Sequence, residues 1–415
     1  MGEPGLAPGQ EEDQMSSEET YVIVGASLAG AKAAQALREE GFDGRIVLVG
    51  AESELPYERP PLTKGFLQGK EEQAKVYVHE AGWYDKHHVE LRLGMAASAV
   101  DRTARTVMLA DGVSVPYDKL LLTTGSSPRY LDMPGAERVH YLRTLGDSLA
   151  LREVIEPGEK RVVVIGAGWI GLETAAAARE YGNDVTIVEP APAPLLRSVG
   201  PQIGELFASL HRRHGVEVLL NEGVASIGPD SVITSGGREL PADIVIVGIG
   251  VRPNIELGES AGLEVENGIV VDASLRTSDP YIYAAGDVAN AYHPLLGRHL
   301  RVEHWANALN GGTAAGRSML GHDVVYDRLP YFFTDQYELG MEMTGVPDAY
   351  DQVLFRGSAQ DLEFIAFWLL GGKVVAAMNV NVWDVATDLQ ALIRSGNIID
   401  PDRLTDPGTP LLDLL

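Results

Sequence analysis

Two segments of the chain share one pattern of apolar and small residues. The first, residues 21–30, reads YVIVGASLAG, and the second, residues 161–171, reads RVVVIGAGWIG. In each, a short β-branched run predicts a buried strand, and the alanine-rich stretch after the glycines predicts a helix. Each segment therefore predicts a strand, a tight glycine turn and a helix, which together open a βαβ unit.

The glycine spacing of both segments is typical of a dinucleotide-binding loop. A tight turn lets the backbone approach a pyrophosphate, and the N-terminus of the helix directs unpaired N–H groups towards it. The second loop is intact, with Gly166, Gly168 and Gly171. In the first loop, residues 25–30, Ser27 replaces the second glycine. Because one such unit binds one dinucleotide, the chain is predicted to bind two.

The apolar runs that follow the first loop predict one sheet whose strands come from two separate parts of the chain. We predict a helix over 31–41, a strand over 45–50 and a buried strand over 120–125. Short alternating runs over 90–119, broken by an Asp-Gly pair, predict antiparallel strands. A further buried strand over 281–287 ends in Gly-Asp, so the first domain is expected to resume from about residue 253. Two glycine loops and this strand end together indicate a flavoprotein.

The second glycine loop belongs to a predicted inserted domain. Its returning strand is predicted over 184–189 and its closing strand over 243–250. From residue 330 the pattern changes to short strands, with a predicted hairpin turn at Gly371 and Gly372 and a final helix over 382–395.

These elements predict an α/β protein with two Rossmann-like dinucleotide-binding domains and an α+β C-terminal domain. An acidic segment at the start of the chain is predicted to be disordered. The predicted ranges are 1–19 for the disordered tail, 20–125 with 253–329 for the FAD-binding domain, 126–252 for the NAD-binding domain and 330–415 for the C-terminal domain.

The charge balance argues against nucleic-acid and membrane partners. The 415 residues carry a formal net charge of −26, which repels nucleic acid and anionic membranes. No apolar run approaches the roughly 20 residues that span a bilayer. The first 20 residues carry six acidic residues and no basic one, unlike a targeting signal. We expect a cytoplasmic protein. The sequence does not determine the oligomeric state, or whether translation starts at Met1 or at Met15.

The chain contains no cysteine, and this restricts its redox chemistry. A structural disulfide, an iron–sulfur cluster within the chain and thiol-based redox mechanisms are all excluded. The pair His87 and His88 and the spacing of His211 and His214 lack companion ligands. We therefore predict no metal site.

An acidic residue follows the second strand of each unit, where it can bind a ribose. Glu52 lies 27 residues after Gly25, and Glu189 lies 23 residues after Gly166. A carboxylate at Glu189 accepts hydrogen bonds from both ribose hydroxyls and repels a 2′-phosphate, which favours NADH over NADPH. Arg197 lies nearby and could accommodate that phosphate, so NADPH remains an alternative. Glu52 could instead be a surface residue of a loop.

Six segments of the chain carry a resemblance to a known family: 24–30, 57–64, 247–254, 285–288, 303–307 and 330–336. They resemble the bacterial FAD-dependent, NADH-linked ferredoxin reductases of the putidaredoxin reductase and biphenyl dioxygenase ferredoxin reductase type. This family lies within the glutathione-reductase structural group, and the resemblance covers residues 20–415. It implies a fold of the glutathione-reductase type with FAD and NADH as cofactors.

The resemblance also implies which residues bind the cofactors. The family's ribose-binding acid often lies at the position of Ala51, so Glu52 would act from one position later. The residues implied for FAD are Gly25, Ser27, Ala29, Gly30, Glu52, Arg59, Lys64, Ala97, Thr124, Gly125, Arg143, Asp287 and Trp305. Those implied for NAD are Gly166, Gly168, Ile170, Gly171, Glu173, Glu189, Arg197 and Gly250.

Lys64, Glu173 and Trp305 are the predicted catalytic residues. In the family, the first two positions lie near flavin N5, where an ammonium stabilises the reduced ring and a carboxylate holds that ammonium. Glu173 could instead be an exposed residue in the first turn of its helix. Trp305 could stack with the nicotinamide or simply pack. A helix predicted to begin near Glu303 would direct its positive end at the flavin.

The resemblance implies an NADH-dependent ferredoxin reductase. FAD would accept hydride from NADH and pass single electrons to a small iron–sulfur ferredoxin that serves a cytochrome P450 or a Rieske-type ring-hydroxylating oxygenase. The lack of cysteine disfavours disulfide reductases and thiol peroxidases. Two alternatives stay open: the same core reducing rubredoxin, a quinone or oxygen, and a redox-responsive flavoprotein resembling apoptosis-inducing factor.

Overall fold

The computed structural model describes residues 19–415, so the predicted tail over 1–19 lies, except for Glu19, outside the described residues. The α-helices of the described part are α1 Leu28–Glu39, α2 Trp83–Lys86, α3 Leu145–Ile155, α4 Trp169–Glu180, α5 Leu196–Arg213, α6 Glu256–Ser260, α7 Trp305–Met319, α8 Ala386–Ser395 and α9 Pro401–Thr405. Short 3₁₀ segments include Pro60–Thr63 and Gly286–Val288.

The strands complete the chain order. They are β1 Thr20–Val24, β2 Arg45–Val49, β3 Val89–Arg92, β4 Ala97–Asp101, β5 Thr106–Leu109, β6 Ser114–Pro116, β7 Lys119–Leu122, β8 Ser126–Pro128, β9 His140–Tyr141, β10 Arg161–Ile165, β11 Asp184–Glu189, β12 Glu217–Leu220, β13 Val224–Ile227, β14 Ser231–Thr234, β15 Glu239–Pro241, β16 Ile244–Val247, β17 Val251–Pro253, β18 Ile269–Val271, β19 Ile282–Ala284, β20 Ala289–His293, β21 Arg298–Arg301, β22 Tyr331–Gln336, β23 Leu339–Gly345, β24 Gln352–Ser358, β25 Glu363–Leu370 and β26 Lys373–Val380.

The first glycine loop follows the central strand of a five-stranded parallel sheet. The strand order is β19-β7-β1-β2-β3, and every neighbouring pair is parallel. The apolar runs of β1 and β7 are buried because helices and loops cover both faces of such a sheet. Helices α1 and α7 pack closely beside it: a Cβ added at Gly312 would lie 2.2 Å from the backbone oxygen of Ala29.

Part of the predicted antiparallel region was wrong. β3, at the start of the 90–119 stretch, pairs in parallel with β2 and forms the edge of the first sheet. Only β4, β5 and β6 form the predicted antiparallel sheet. The sequence of β3 is too short to distinguish the two kinds of pairing, which depend on how the chain crosses over before the strand.

The second glycine loop follows the central strand of another parallel sheet. Its order is β12-β11-β10-β16-β9, and all of its strands come from residues 140–247. Helix α4 packs on this sheet through a run of buried alanines, Ala175 to Ala178. The small antiparallel sheet β13-β14-β15 follows β12.

The C-terminal sheet is antiparallel, in the order β22-β23-β26-β25-β24. Gly371 and Gly372, both with positive φ, turn the chain from β25 to β26. Helix α8 begins at Ala386, four residues later than predicted. Asn381 and Asp384 have φ of 51° and 62°, so the backbone before Ala386 is incompatible with a helix.

The second parallel sheet and the C-terminal sheet share a hydrophobic core. Leu172 of α4 and Phe207 of α5 belong to the same buried cluster as Phe364 and Trp368 of β25. The indole N–H of Trp368 donates a hydrogen bond to the backbone oxygen of Val199 at 3.2 Å. This contact surface places β22 beside α4. The three large sheets are consistent with the domain boundaries given above, which remain a prediction.

Candidate functional site

A cavity of about 410 Å³ opens where the strands of the first sheet end. Residues that directly follow β1, β2, β7 and β19 line it, together with the segment Pro60–Thr63 and the first residues of α4, α7 and β22. A concave site at the carboxyl ends of parallel strands is the usual place for a nucleotide ligand in α/β proteins.

The cavity brings together nearly all residues predicted to bind FAD. Gly30 is the exception, because it lies within α1, where a Cβ would lie 2.2 Å from the backbone oxygen of Gly25. Its role is to let the helix pack against the turn. The predicted residues that line the cavity are Gly25, Ser27, Ala29, Glu52, Arg59, Lys64, Ala97, Thr124, Gly125, Arg143, Asp287 and Trp305, joined by Ile170 and Glu173 of the NAD set.

The first glycine turn requires glycine at its first position. Gly25 has a φ of 122°, and a Cβ there would lie 2.0 Å from the backbone oxygen of Thr123. Ser27 then caps α1 with extended backbone angles, and its side chain makes no capping hydrogen bond. Leu28 and Ala29 of the first turn of α1 line the cavity, so the N–H groups that begin this helix are available to a pyrophosphate.

The second glycine loop lies outside this cavity, at the end of β10. Gly166 has a φ of 99°, and a Cβ there would lie 2.5 Å from the oxygen of Gly248. A Cβ on Gly171 would lie 2.1 Å from the oxygen of Gly166, and Gly168 caps α4. Gly250, with a φ of 95°, follows β16 at the same end of the sheet. The loop has the shape that binds a second pyrophosphate.

Glu189 ends β11 and bends back to the second glycine loop. One carboxylate oxygen accepts a hydrogen bond from the N–H of Ala167 at 2.7 Å, and the other accepts one from the N–H of Ala191 at 2.9 Å. Arg197 is exposed in the first turn of α5. The carboxylate is therefore held beside the loop, where a ribose would lie, while the arginine side chain is in solvent.

Glu52 is held by two side chains at the cavity wall. The Tyr57 hydroxyl donates a hydrogen bond to one carboxylate oxygen at 2.5 Å, and the Arg59 guanidinium lies 3.6 Å from the other. Burial raises the pKa of Tyr57 to about 12, although Arg59 partly offsets this effect. Glu52 is thus held at the cavity wall, although 38% of its side chain stays exposed.

Arg143 and Asp287 form an ion pair within the cavity wall. The guanidinium lies 2.9 Å from a carboxylate oxygen of Asp287, which also accepts a hydrogen bond from the Ser126 hydroxyl at 2.6 Å. Burial alone would raise the pKa of Asp287, but Arg143 and Ser126 hold it below its ordinary value. Asp287 is therefore an ionised acceptor in the 3₁₀ segment Gly286–Val288, which follows β19.

Lys64 and Glu173 meet in a buried hydrogen-bond cluster. The ammonium of Lys64 lies 2.5 Å from one oxygen of Glu173. Thr63 donates to the other oxygen at 2.5 Å, and Thr334 donates to the first, also at 2.5 Å. Glu173 is only 6% exposed and is the fifth residue of α4, so the alternative of an exposed first-turn residue was wrong. The Lys64 ammonium also lies 5.1 Å from the ring centre of Phe333.

Trp305 begins α7, two residues after the predicted start of this helix. Its indole N–H donates a hydrogen bond to Glu58 at 3.0 Å, and its ring packs edge-on against Phe333 at 5.9 Å. His304 precedes it and also lines the cavity. Burial lowers the pKa of His304 to about 4, so the imidazole is neutral at pH 7.

Sequence reasoning missed several residues of the wall. Trp169 and Phe332 pack at 4.6 Å beside His304, and none of the three was assigned a role. Thr334, which contacts Glu173 but does not line the cavity, was also missed, although one signal was available. Residues two apart on a strand share a face, and Thr334 and Gln336 are polar on the buried face of β22. Buried polar pairs of this kind need partners.

The cavity wall fits a flavin dinucleotide. Within residues 19–415, Nε of Arg143 and Nδ1 of His304 are buried without a hydrogen-bond partner, and both residues line the cavity. The turn at Gly25 leaves room for close backbone approach, and Asp287 presents an acceptor. These groups suit a ligand with a pyrophosphate, hydroxyl groups and a polar ring. Binding of FAD by the individual residues remains a prediction.

Comparisons with known proteins agree with this geometry. Residues 19–312 match the family described as pyridine nucleotide-disulphide oxidoreductase, and residues 331–415 match the family described as reductase C-terminal. The chain belongs to the pyridine nucleotide-disulphide oxidoreductase family. The predicted fold class, with two dinucleotide-binding domains of the glutathione-reductase type and a C-terminal domain, is confirmed.

Similar proteins match over nearly their whole length. The anthranilate 1,2-dioxygenase system ferredoxin–NAD(+) reductase component of Burkholderia cepacia is 41% identical over 406 residues, covering 96% of this chain and 100% of the relative. Putidaredoxin reductase of Pseudomonas putida is 35% identical over 413 residues, covering 97% and 98%. The crystal structure of the covalent putidaredoxin reductase–putidaredoxin complex matches with a TM-score of 0.92 at 35% identity, covering 95% and 98%. The predicted resemblance to this type of reductase is confirmed.

Proposed function

We propose that the protein is an FAD-containing, NADH-dependent ferredoxin reductase. The observation that carries this proposal is the buried Lys64–Glu173 pair, in a cavity wall formed by the first glycine loop and by the helix that follows the second. The matched reductases of dioxygenase and putidaredoxin systems support the same activity.

The first glycine loop and its helix bind the FAD pyrophosphate. The N-terminus of α1 supplies N–H donors, and Asp287 accepts hydrogen bonds from the polyhydroxyl chain. Arg143 keeps this carboxylate ionised. Bound FAD supplies the redox chemistry, since it accepts hydride from NADH and releases electrons one at a time.

The second glycine loop would hold the pyrophosphate of NADH. Glu189 accepts hydrogen bonds from the adenosine ribose and disfavours a 2′-phosphate. Ile170 and Glu173 lie on the first turns of α4 and also line the cavity, so this helix links the two cofactors. Lys64 places a positive charge in the wall, where it stabilises negative charge on a reduced ring.

The electron acceptor is a small iron–sulfur ferredoxin, which serves a cytochrome P450 or a Rieske-type oxygenase. By name, the relatives that match over almost the whole chain are the ferredoxin–NAD(+) reductase component of an anthranilate 1,2-dioxygenase system and a putidaredoxin reductase. Although the family name refers to disulphides, the chain has no cysteine and cannot exchange thiols. An acceptor outside the chain must therefore take the electrons.

The location of the protein is a further proposal. None of the helices in residues 19–415 has the length and hydropathy that a membrane crossing needs. We place the protein in the cytoplasm, where NADH and ferredoxin are available. Separation of cell fractions with an antibody to this chain tests this placement.

The decisive experiment is NADH-driven reduction of cytochrome c by the purified protein. It is run without ferredoxin, with a small panel of bacterial ferredoxins and with a soluble quinone as control. We expect FAD in the purified protein, bleaching of FAD by NADH without oxygen, and turnover that depends strongly on one ferredoxin.

Other results point to the alternatives. Fast reduction of quinone or oxygen without ferredoxin would indicate that the physiological electron acceptor is not a ferredoxin. Slow turnover with every acceptor, with a long-lived complex of reduced flavin and oxidised nicotinamide, would favour a redox-responsive role. A protein that binds no flavin would overturn the proposal.

A further inference from the structure

A line of buried polar side chains leads from Glu173 into the C-terminal sheet. Thr334 donates a hydrogen bond to Glu173, and the Gln336 amide donates one to the Thr334 hydroxyl at 3.2 Å. The side-chain oxygen of the same amide, Oε1 of Gln336, lies 2.9 Å from Nε2 of His211. Beyond it, the Tyr337 hydroxyl lies 3.5 Å from Nδ1 of the same imidazole. Thr334 and His211 are fully buried, and Gln336 is 1% exposed.

The hydrogen bonds of this line have a single direction. An ionised carboxylate only accepts hydrogen bonds, so Thr334 must donate to Glu173. The lone pairs of the Thr334 hydroxyl then face the amide of Gln336, which donates. Burial lowers the pKa of His211 to about 4, so the ring is neutral and its Nε2–H can donate to Gln336. Each donor orients the next group towards Glu173.

We propose that Thr334 is a positioning residue for hydride transfer: together with Thr63 it fixes the carboxylate of Glu173, and thereby holds the Lys64 ammonium against the bound flavin. This inference rests on the proposed function and deepens it. It gives the C-terminal domain a part in the redox step, through a residue that does not line the cavity.

The geometry explains why the lysine needs this support. Glu173 receives three donors from two segments of the chain: Thr63 and Lys64 at the end of the segment Pro60–Thr63, and Thr334 in β22. Without the Thr334 hydroxyl, the Glu173 oxygen that also contacts Lys64 would lose one of its two donors. The carboxylate could then rotate about the Cγ–Cδ bond of Glu173. Asp335, the neighbour of Thr334 in β22, offers Lys64 another carboxylate partner. Burial raises the pKa of Asp335, and its attraction to Lys64 offsets this rise only in part.

The chain provides a matched control for removing the Thr334 hydroxyl. Thr344 of β23 belongs to the same sheet and is 2% exposed. Its hydroxyl has no hydrogen-bond partner among residues 19–415. Thr344→Val therefore makes the same chemical change at a buried site without breaking a hydrogen bond, whereas Thr334→Val removes the donor to Glu173. Thr334→Ser restores the hydroxyl.

The test compares the FAD-loaded wild type with these three variants. The midpoint potential of bound FAD is measured by equilibration with a reference dye, and flavin reduction by NADH is followed by anaerobic stopped flow. A hydrogen bond to a charged group is worth roughly a factor of ten in an equilibrium constant. We expect Thr334→Val to shift the equilibrium about tenfold towards oxidised FAD, a potential about 30 mV lower, and to slow reduction.

The controls decide whether the hydroxyl itself is responsible. Thr344→Val should match the wild type in potential and rate, and Thr334→Ser should recover most of both. Thr63→Val removes the other hydroxyl donor and should also lower the potential, so it carries the test if Thr334→Val fails to fold.

Equal potentials for Thr334→Val and Thr344→Val, or a Thr334→Ser variant as impaired as Thr334→Val, would overturn the positioning role alone. If Thr334→Val does not fold, a wild-type potential in Thr63→Val overturns it. A wild type without FAD would overturn the proposed function and the positioning role together.

Discussion

Arg143 and Asp287 are 144 residues apart in the sequence, yet the guanidinium of one lies 2.9 Å from the carboxylate of the other. Both side chains are largely buried in the cavity wall, and Asp287 stays ionised because of this pair. Removal of one partner from a buried pair leaves an uncompensated charge and typically costs about 3–5 kcal/mol.

The first prediction concerns this pair. We expect Arg143→Met to lose most of its FAD during purification and to unfold at a lower temperature than the wild type. Arg161→Met is the matched control, because Arg161 forms an exposed pair with Asp243 at the base of the second sheet. Exposed pairs contribute about 1 kcal/mol or less. FAD absorbance per chain and thermal unfolding check both variants, and equal FAD contents would contradict the prediction.

The second prediction concerns the charge of Lys64. Lys64→Met should slow flavin reduction by NADH at least about tenfold, because the positive charge that stabilises the reduced ring is lost. The dissociation constant of NADH should change much less. Lys70→Met is the control: Lys70 pairs with Glu180 at the surface, 2.7 Å apart. Stopped-flow reduction at several NADH concentrations separates rate from binding. Similar rates in the two variants would argue against a role for Lys64.

The third prediction concerns the choice between NADH and NADPH. Glu189→Ala should lower kcat/KM for NADH about tenfold, because the hydrogen-bond acceptor for the ribose is lost. It should raise kcat/KM for NADPH, because the carboxylate no longer repels the 2′-phosphate. Arg197→Ala distinguishes the remaining alternative. Since Arg197 is exposed, we expect this variant to leave both values unchanged. A loss of NADPH activity in Arg197→Ala would show that the arginine binds the phosphate.

The fourth prediction concerns stability in acid. Burial lowers the pKa of His211 to about 4, against about 6.5 in an unfolded chain. The unfolded state then binds the proton first, so His211 destabilises the fold as the pH falls from about 6.5 to about 4. Between pH 7 and pH 5 this amounts to about 2 kcal/mol.

The measurement for His211 is the fall in unfolding temperature between pH 7 and pH 5. His211→Gln keeps a polar group beside Gln336 but cannot titrate, so its unfolding temperature should fall less than that of the wild type. His299→Gln replaces an exposed histidine and should behave like the wild type. An equal fall in all three proteins would show that other groups control acid stability.

The elements that the sequence predicts well are those with local causes. Both glycine loops were predicted because a positive φ and a close backbone approach demand glycine, as Gly25 and Gly166 show. The strand before Asp287 was predicted from its apolar run, although β19 ends at Ala284 and Asp287 lies in the 3₁₀ segment that follows. The parallel pairing of β3 with β2 was not predicted, because the sequence of a short strand does not show which strand lies beside it.

The support of Glu173 could not be predicted for a related reason. Its partners Thr63 and Thr334 lie 110 and 161 residues away, and each threonine alone is typical of a strand or a loop. Only the packing of β22 beside α4 brings them to one carboxylate. The family resemblance indicated the pair of Lys64 and Glu173, but not the hydroxyl groups that hold it.

The strand order of the first sheet also has a consequence for synthesis on the ribosome. Strand β19, residues 282–284, pairs with β7, whereas the second parallel sheet is complete at residue 247. The chain must grow by 37 more residues before β19 exists, about 2–7 s at ordinary elongation rates. The second parallel sheet can thus be completed before the first. Until β19 is synthesised, the edge of the first sheet at β7 has no strand to pair with.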